Sequence, residues 1–524
     1  MTSKRKTNFK PYDPDQGMLL PPYLEDLVPK GHLVRVVKRV LKSVHVEHLY
    51  DRFSDLGRSS YHPQMMLMAI VYAYSQKIYS GRRIAQALRQ DINFMYLTGR
   101  QTPSYRSVNR FRSEYLKDML EDVFTQVLDL LHAEGYIKFE EYFVDGTMIE
   151  ADANKYSHVW TKNTDRYKKA VKDRVRSLFE DIEKVNREED ERYGDHDLEE
   201  MGENSNLTSE KIKEVGERIN KKLQERKEQR QNQGDRKMQS IAKKLDKEAE
   251  NLAKYEEQEK LAGVRKSYSK TDTDATFNRM KDNSLKPSYN YQVSSENQFI
   301  TNFSVHQNAA DSINFPDHLK KIIDRGEKYL PKNFVGDMGY GTEENFSLLE
   351  KHSVTSYLKY PGFFRETKVE YKNNLFVREH MEYDQEGDFF TCPRGKHLVF
   401  REERTTKNPH GYESTSRTYV CEDCSGCSFR EQCTRSKDNN RVITVNLKLD
   451  AYRAVVRKNL NSAKGVELRK RRGYEIETFF GDSKHNQGCR RAHLRGLAKN
   501  NLDLAWICIS YDIRKLHKKE QMMN

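Results

Sequence analysis

The chain has no apolar run approaching the roughly 18 residues that a membrane-spanning helix requires, so no membrane association is expected. Its opening, MTSKRKTNFKPYDPDQG, lacks the apolar stretch of a secretory signal. Cysteine is scarce, with seven in 524 residues, which argues against a disulfide framework. Apolar residues are also few: 36% are hydrophobic and 33% are charged. That is low for a wholly globular chain, and the shortfall is local. Basic charge is plentiful. Lysine and arginine number 92 against 79 acids, a net charge of +13, which favours a polyanionic partner without specifying a fold. The length predicts two to four domains.

Residues 1–130 read as a helical domain. LVRVVKRVLKSV and PQMMLMAIVYAYSQ have helical apolar spacing, and RRIAQALRQD follows a Ser-Gly break. Thr102-Pro103-Ser104 predicts a turn and N-cap for a helix bearing Arg106, Arg110 and Arg112. Short helices with arginines at one start fit a helix-turn-helix-like DNA-binding unit; a solvated helix face is the alternative. Residues 164–266 are dense in both charges, with sparse apolar residues at helical spacing. They predict a helical insertion with little core of its own, a hairpin broken near 192–208. Residues 361–464 read as a β-rich insertion.

The remaining segments, 131–163, 267–360 and 465–520, carry the chemistry. FEEYFVDGTMIEA and KNFVGDMGYGTEEN read as apolar strands ending on Asp145 and Asp337. GYEIETFFGDSKHNQGCRRAHLRG reads as a helix bearing Glu477. Between them, PSYNYQVSSENQFITNFSVHQ predicts a hairpin turning at Ser294–Asn297. The order of strand, hairpin, helix, strand and helix is that of a ribonuclease-H-like α/β fold, by analogy. Two strand-borne aspartates and a helix-borne glutamate can hold a pair of divalent metal ions, which prefer hard oxygen ligands on rigid elements. Glu150, Asp152, Glu343, Glu475 and Asp482 compete for that role. Glu477, Gly481, Lys484 and Gly488 form one helical stripe. It puts Lys484 beside the acids for a DNA phosphate, with His485, Arg490, Arg491 and Arg495 extending a basic track.

Five cysteines fall between Cys392 and Cys433. Cys421, Cys424 and Cys427 form two overlapping CxxC pairs, and tetrahedral structural Zn²⁺ is the natural occupant of such a set. Five thiols compete for four positions; reduced, unliganded thiols are the alternative.

Taken together, VDGTMIEADANKY, KPSYNYQVSSENQFI, GDMGYGTEEN, ETFFGDSKHNQGCRRAHLRGL and the N-terminal SYHPQMMLMAIVYAYSQKIYSGRRIAQALRQDINFMYLTG resemble a bacterial DDE-type insertion-sequence transposase. The resemblance is to the group with an InsH-like N-terminal domain and a cysteine-rich insertion, and it covers nearly the whole chain. Glu477 and Lys484 fit that family's glutamate–lysine signature. Where relatives often carry arginine four residues before the glutamate, this chain has Gly473, with Arg471 and Arg472 adjacent. The resemblance implies catalysis by Asp145, Asp337 and Glu477 with Mg²⁺, nicking at inverted-repeat ends, and joining of the 3′-hydroxyl to target DNA. It also implies zinc on Cys392, Cys424, Cys427 and Cys433. Its partners would be double-stranded DNA (element ends and target) and a second copy of the chain in a homodimer, in the cytoplasm at the nucleoid. A catalytically silent DNA-binding descendant and a nuclease without strand transfer share the same residues.

Overall fold

The computed structural model describes residues 23–47, 60–193, 207–227, 233–436 and 438–523. The chain divides into two units, 1–134 with 505–524 and 135–504. The sequence reading assigned 465–520 to the catalytic core, so the end of that segment lies in the other unit. The reason is chemical: Trp506, Ile509 and Ile513 are buried and apolar, and Ser510 donates to the Val71 carbonyl at 3.0 Å within the N-terminal helices.

In the first unit the central helix is Pro63–Ser75, buried over all but one of its residues. PQMMLMAIVYAYS is apolar on all sides, as an encircled helix must be. Proline at its first position and the His62 ring, which accepts from Gln64 N, start it. The Tyr105–Arg110 helix begins as expected, with Ser104 Oγ accepting from Ser107 N at 3.2 Å.

The second unit is built on a mixed sheet. Its strands are β1 (Glu141–Glu150), β2 (Leu285–Glu296), β3 (Phe299–His306), β4 (Asn333–Gly336) and β5 (Thr355–Leu358), with a short Thr276–Arg279 strand beside the start of β2. The spatial order is β3-β2-β1-β4-β5. The first three are antiparallel; β4 and β5 run parallel to β1. This mixed α/β order is consistent with a ribonuclease-H-like core. The β2–β3 turn is Asn297-Gln298, both with positive φ (51° and 65°), two residues later than the sequence reading placed it. A two-residue turn of this hand matches strand twist, so Ser294–Glu296 stay in the strand.

One carboxylate fixes where β1 begins. Glu296 Oε2 accepts from the backbone N–H groups of Lys138 (2.9 Å) and Phe139 (2.7 Å), and Oε1 from those of Glu140 (2.9 Å) and Glu141 (3.1 Å). Four donors converge on one buried anion, which is strong charge-assisted bonding. Behind the sheet, buried His318 bridges Ser294 Oγ and Ser304 Oγ at 2.7 Å each.

The charged insertion corrects the sequence reading. Among the described residues it has three helices, Thr161–Tyr193, Ser209–Lys227 and Gln233–Ala262, and a core of its own. Val171, Val175, Leu178 and Ile182 pack with Ile212, Ile219, Leu245 and Leu252. Each helix supplies one narrow apolar stripe, too thin to register alone, and three stripes together enclose a core. The break predicted near 192–208 falls largely on 194–206, outside the described residues. Strands His158–Trp160 and Ser267–Ser269 pair at the base of the insertion.

Residues 382–445 form a five-stranded antiparallel meander. Its long hairpin (His397–Lys407 with Glu413–Cys421) lies against the helix that follows Asp337, through Tyr412 to Glu343 and Asn408 to Glu344.

Candidate active site

Asp145 was expected at a strand end, but it lies mid-strand, because β1 pairs with β2 all the way to Glu150. On its other side the parallel ladder with β4 runs only from Glu141↔Asn333 to Phe143↔Val335. Two residues further along that register, Asp145 comes level with Asp337, the first residue after β4. Both acids therefore sit at the carboxyl end of the parallel strands, where α/β sheets place ligands. Asp337 caps a short turn, with Oδ1 accepting from Gly339 N at 2.8 Å. Asp145 Oδ1 accepts from Gly146 N at 2.9 Å.

Gly146 and Gly339 are small for a reason. A Cβ on Gly146 would lie 2.3 Å from Asp311 Oδ1 and Gln292 Nε2; one on Gly339 would sit between Asp337 and Asp311. Asp311 is thus a third carboxylate at the site, and sequence reasoning missed it because an acid before a helix reads as a cap. Asn290 and Gln292 donate to its Oδ1 at 2.7 and 2.6 Å. Gln292 is oriented by Tyr340, whose hydroxyl donates to Oε1.

Arg472, from the Ala463–Gly481 helix, faces both strand acids. Its Nη2 is 3.3 Å from Asp145 Oδ2 and 3.5 Å from Asp337 Oδ2. Burial pushes the Asp145 carboxyl up to about 6. Arg472 opposes that rise, while Asp337 and Asp311 add to it. Asp311 is raised too, chiefly by burial. Crowded, desolvated carboxylates of this kind are what a divalent cation relieves, and the oxygen donors fit Mg²⁺ or Mn²⁺.

Glu477 does not join them. It is exposed, and among the described residues no group of three histidine, cysteine or acidic side chains stands ready to hold a metal. The stripe predicted to run from Glu477 to Gly488 also breaks. The α-helix ends at Gly481, Asp482–Asn486 forms a π turn, and Gly488 has φ 73°. Across that turn Lys484 still reaches β1, donating to Thr147 Oγ1 and lying 3.5 Å from the Met148 carbonyl. Burial, then Lys281, bring its ammonium down to about 8.

The competing acids have other duties. Glu475 is buried and accepts from Gln298 N (2.7 Å) and Arg471; Glu150 pairs with Lys286 at 3.0 Å; Glu343 accepts from Tyr412, Ser414 and Asn446. The basic track is divided. Arg491 and Arg495 both bind Asp152, at 3.0 and 3.1 Å, and secure the end of β1. His485 and Arg490 are exposed and bond each other at 2.8 Å. In the first unit Arg106 is exposed and Arg110 pairs with Glu114. Arg112 departs from its expected role as a DNA contact: it is committed to Tyr74 Oη and the Tyr79 carbonyl, and so holds its own helices together.

Cys392, Cys421, Cys424, Cys427 and Cys433 line one cavity of about 250 Å³. Cys424 Sγ accepts from Arg441 N at 3.3 Å, and the Phe429 N–H, then Arg394, draw the Cys427 thiol below its ordinary range. Cys421 is pushed up to about 12 by burial and by Cys424. The five thiols share this cavity without forming a ready-made metal-ligand group among the described residues.

A family described as "Transposase DDE domain" matches residues 391–517, and one described as "Transposase domain (DUF772)" matches residues 22–114. Both are transposase families, and together the two matches support a DDE-type insertion-sequence transposase. The first match takes in Glu477, Lys484 and the cysteines of the chain; Asp145 and Asp337 lie outside it. No curated protein matches the chain. Among the described residues no helix is long and apolar enough to cross a membrane.

Proposed function

We propose that this transposase cuts the inverted-repeat ends of an insertion sequence and joins the freed 3′-hydroxyls to target DNA. The observation that carries this reading is the level pairing of Asp145 and Asp337 at the carboxyl end of the parallel strands, with a helix bearing Glu477 alongside. Two bound Mg²⁺ ions would supply an activated water or hydroxyl and a stabilised leaving oxygen. Asp145 and Asp337 would hold the ions from the sheet, and Glu477 would complete the set from the helix. Lys484 holds a phosphate beside them, His485 and Arg490 continue that track, and Arg106 and Arg110 contact DNA from the N-terminal unit. Two ends must meet, so the working form is a dimer on double-stranded DNA, with the three-helix insertion as pairing surface or clamp. Cys392, Cys424, Cys427 and Cys433 bind structural zinc, checked by the zinc content of the purified protein.

The test is purified protein, Mg²⁺ and a plasmid carrying the element's own ends. Wild type should cleave and join. Asp145→Asn, Asp337→Asn and Glu477→Gln should each keep binding and lose both steps. Binding without cleavage by wild type in Mg²⁺ and Mn²⁺ would instead indicate a silent DNA-binding protein. Cleaved ends that are never joined would indicate a nuclease.

A further inference from the structure

Arg472 is held differently from the arginines that brace this fold. Arg378 forks onto Asp450 at 2.6 and 2.9 Å, and Arg174 onto Glu248 at 2.9 Å through two nitrogens. Such bidentate pairs are the strong, geometrically fixed kind. Arg472 instead offers a single nitrogen to two acids, at 3.3 and 3.5 Å; its buried Nε has no hydrogen-bond partner among the described residues, a trait it shares with Arg430, Arg441, Arg453 and Arg469. Both contacts are longer than an ordinary charge-assisted bond. Asp311 lies close to Asp337 and within the field of the same guanidinium, while Lys484 and Lys359 lie within the field of Asp145 and Asp337.

We infer that Arg472 is a placeholder cation. It neutralises Asp145 and Asp337 in the metal-free protein and gives way when divalent ions enter, so it sets how much free metal the site requires. This rests on the acid-pair reading above. A permanent strut predicts the opposite sign: removing it would let the acids splay and weaken metal binding.

The measurement is Mn²⁺ titration by electron paramagnetic resonance, without DNA and therefore without turnover. Arg472→Gln should bind Mn²⁺ about tenfold more tightly than wild type, a small part of what one unit charge at that range is worth. Arg472→Lys keeps the charge and should stay within about threefold of wild type. Mn²⁺ affinity that is unchanged or weaker in a folded Arg472→Gln overturns the inference. Asp145→Asn should lose Mn²⁺ binding; if it binds as wild type does, the acid-pair reading fails and takes this inference with it. A second measurement needs no variant. On wild type, Mn²⁺ should increase modification of Arg472 by phenylglyoxal, read by peptide mass spectrometry, and an unchanged or reduced rate overturns the inference.

Discussion

Replacing Asp145 with asparagine should stabilise the metal-free protein, by an amount that depends on pH. The carboxyl rises from an ordinary 3.8 to about 6 on folding. For an acid with a raised folded value, the stabilising protonated form is fully present below 3.8 and is lost as pH rises through about 6. Above that window the charged group costs the fold about 3 kcal/mol. Asparagine removes the titration. Its lost attraction to Arg472 is partly covered by Asp337, which stays within 3.5 Å. The assay is urea unfolding of both proteins with chelator present, from pH 4 to pH 8. The stability difference, variant minus wild type, should open in favour of Asp145→Asn between pH 4 and 6, by about 3 kcal/mol, and then level off. Mn²⁺ should stabilise wild type and leave the variant unmoved. A difference that stays flat across the window, or moves towards wild type, would refute the claim that burial strains this carboxylate.

Three further outcomes are expected. Glu296→Gln leaves an amide where four N–H donors converge; it should destabilise the second unit by about 2–4 kcal/mol, read by denaturant unfolding, with faster amide exchange at residues 138–141. The kcat/KM of strand cleavage, which reports the free protein, should fall with a midpoint near pH 8 as Lys484 loses its charge, and Lys484→Arg should remove that alkaline limb. Excising 166–264 should abolish paired-end complexes in gel-shift assays while single-end binding persists; paired complexes that survive would rule the insertion out as the pairing surface.

The strand acids were legible because each follows an apolar run, and a charge at such a boundary is conspicuous. Their partnership was not, since it arises from the parallel register of β1 and β4, which no local pattern encodes. Arg472 was obscured by Arg469, Lys470 and Arg471. Only the facing of the helix selects it: Arg471 turns to Glu141 and Glu475, while Arg472 turns to the aspartates. Asp311 looked like any helix-initiating acid until the sheet brought Asn290 and Gln292 against it. The N-cap at Ser104 was readable because capping is local. The core of the insertion was not, because it exists only when three helices are counted together. The stripe from Glu477 to Gly488 failed for a related reason: strict helical spacing does not anticipate a π turn.

The Glu296 anchor bears on how this chain can change in length. It counts residues from a fixed origin, four amides ending at Glu141, and Asp145 stands four places further on. Side chains alternate faces along a strand, so a single-residue insertion or deletion between 141 and 145 would turn the acid to the opposite side of the sheet. A two-residue change would keep the face but shift the acid along the strand by about 7 Å, out of line with Asp337. That short span should therefore be intolerant of any indel, whereas a module joined through the paired strands at 158–160 and 267–269 is free to grow or shrink.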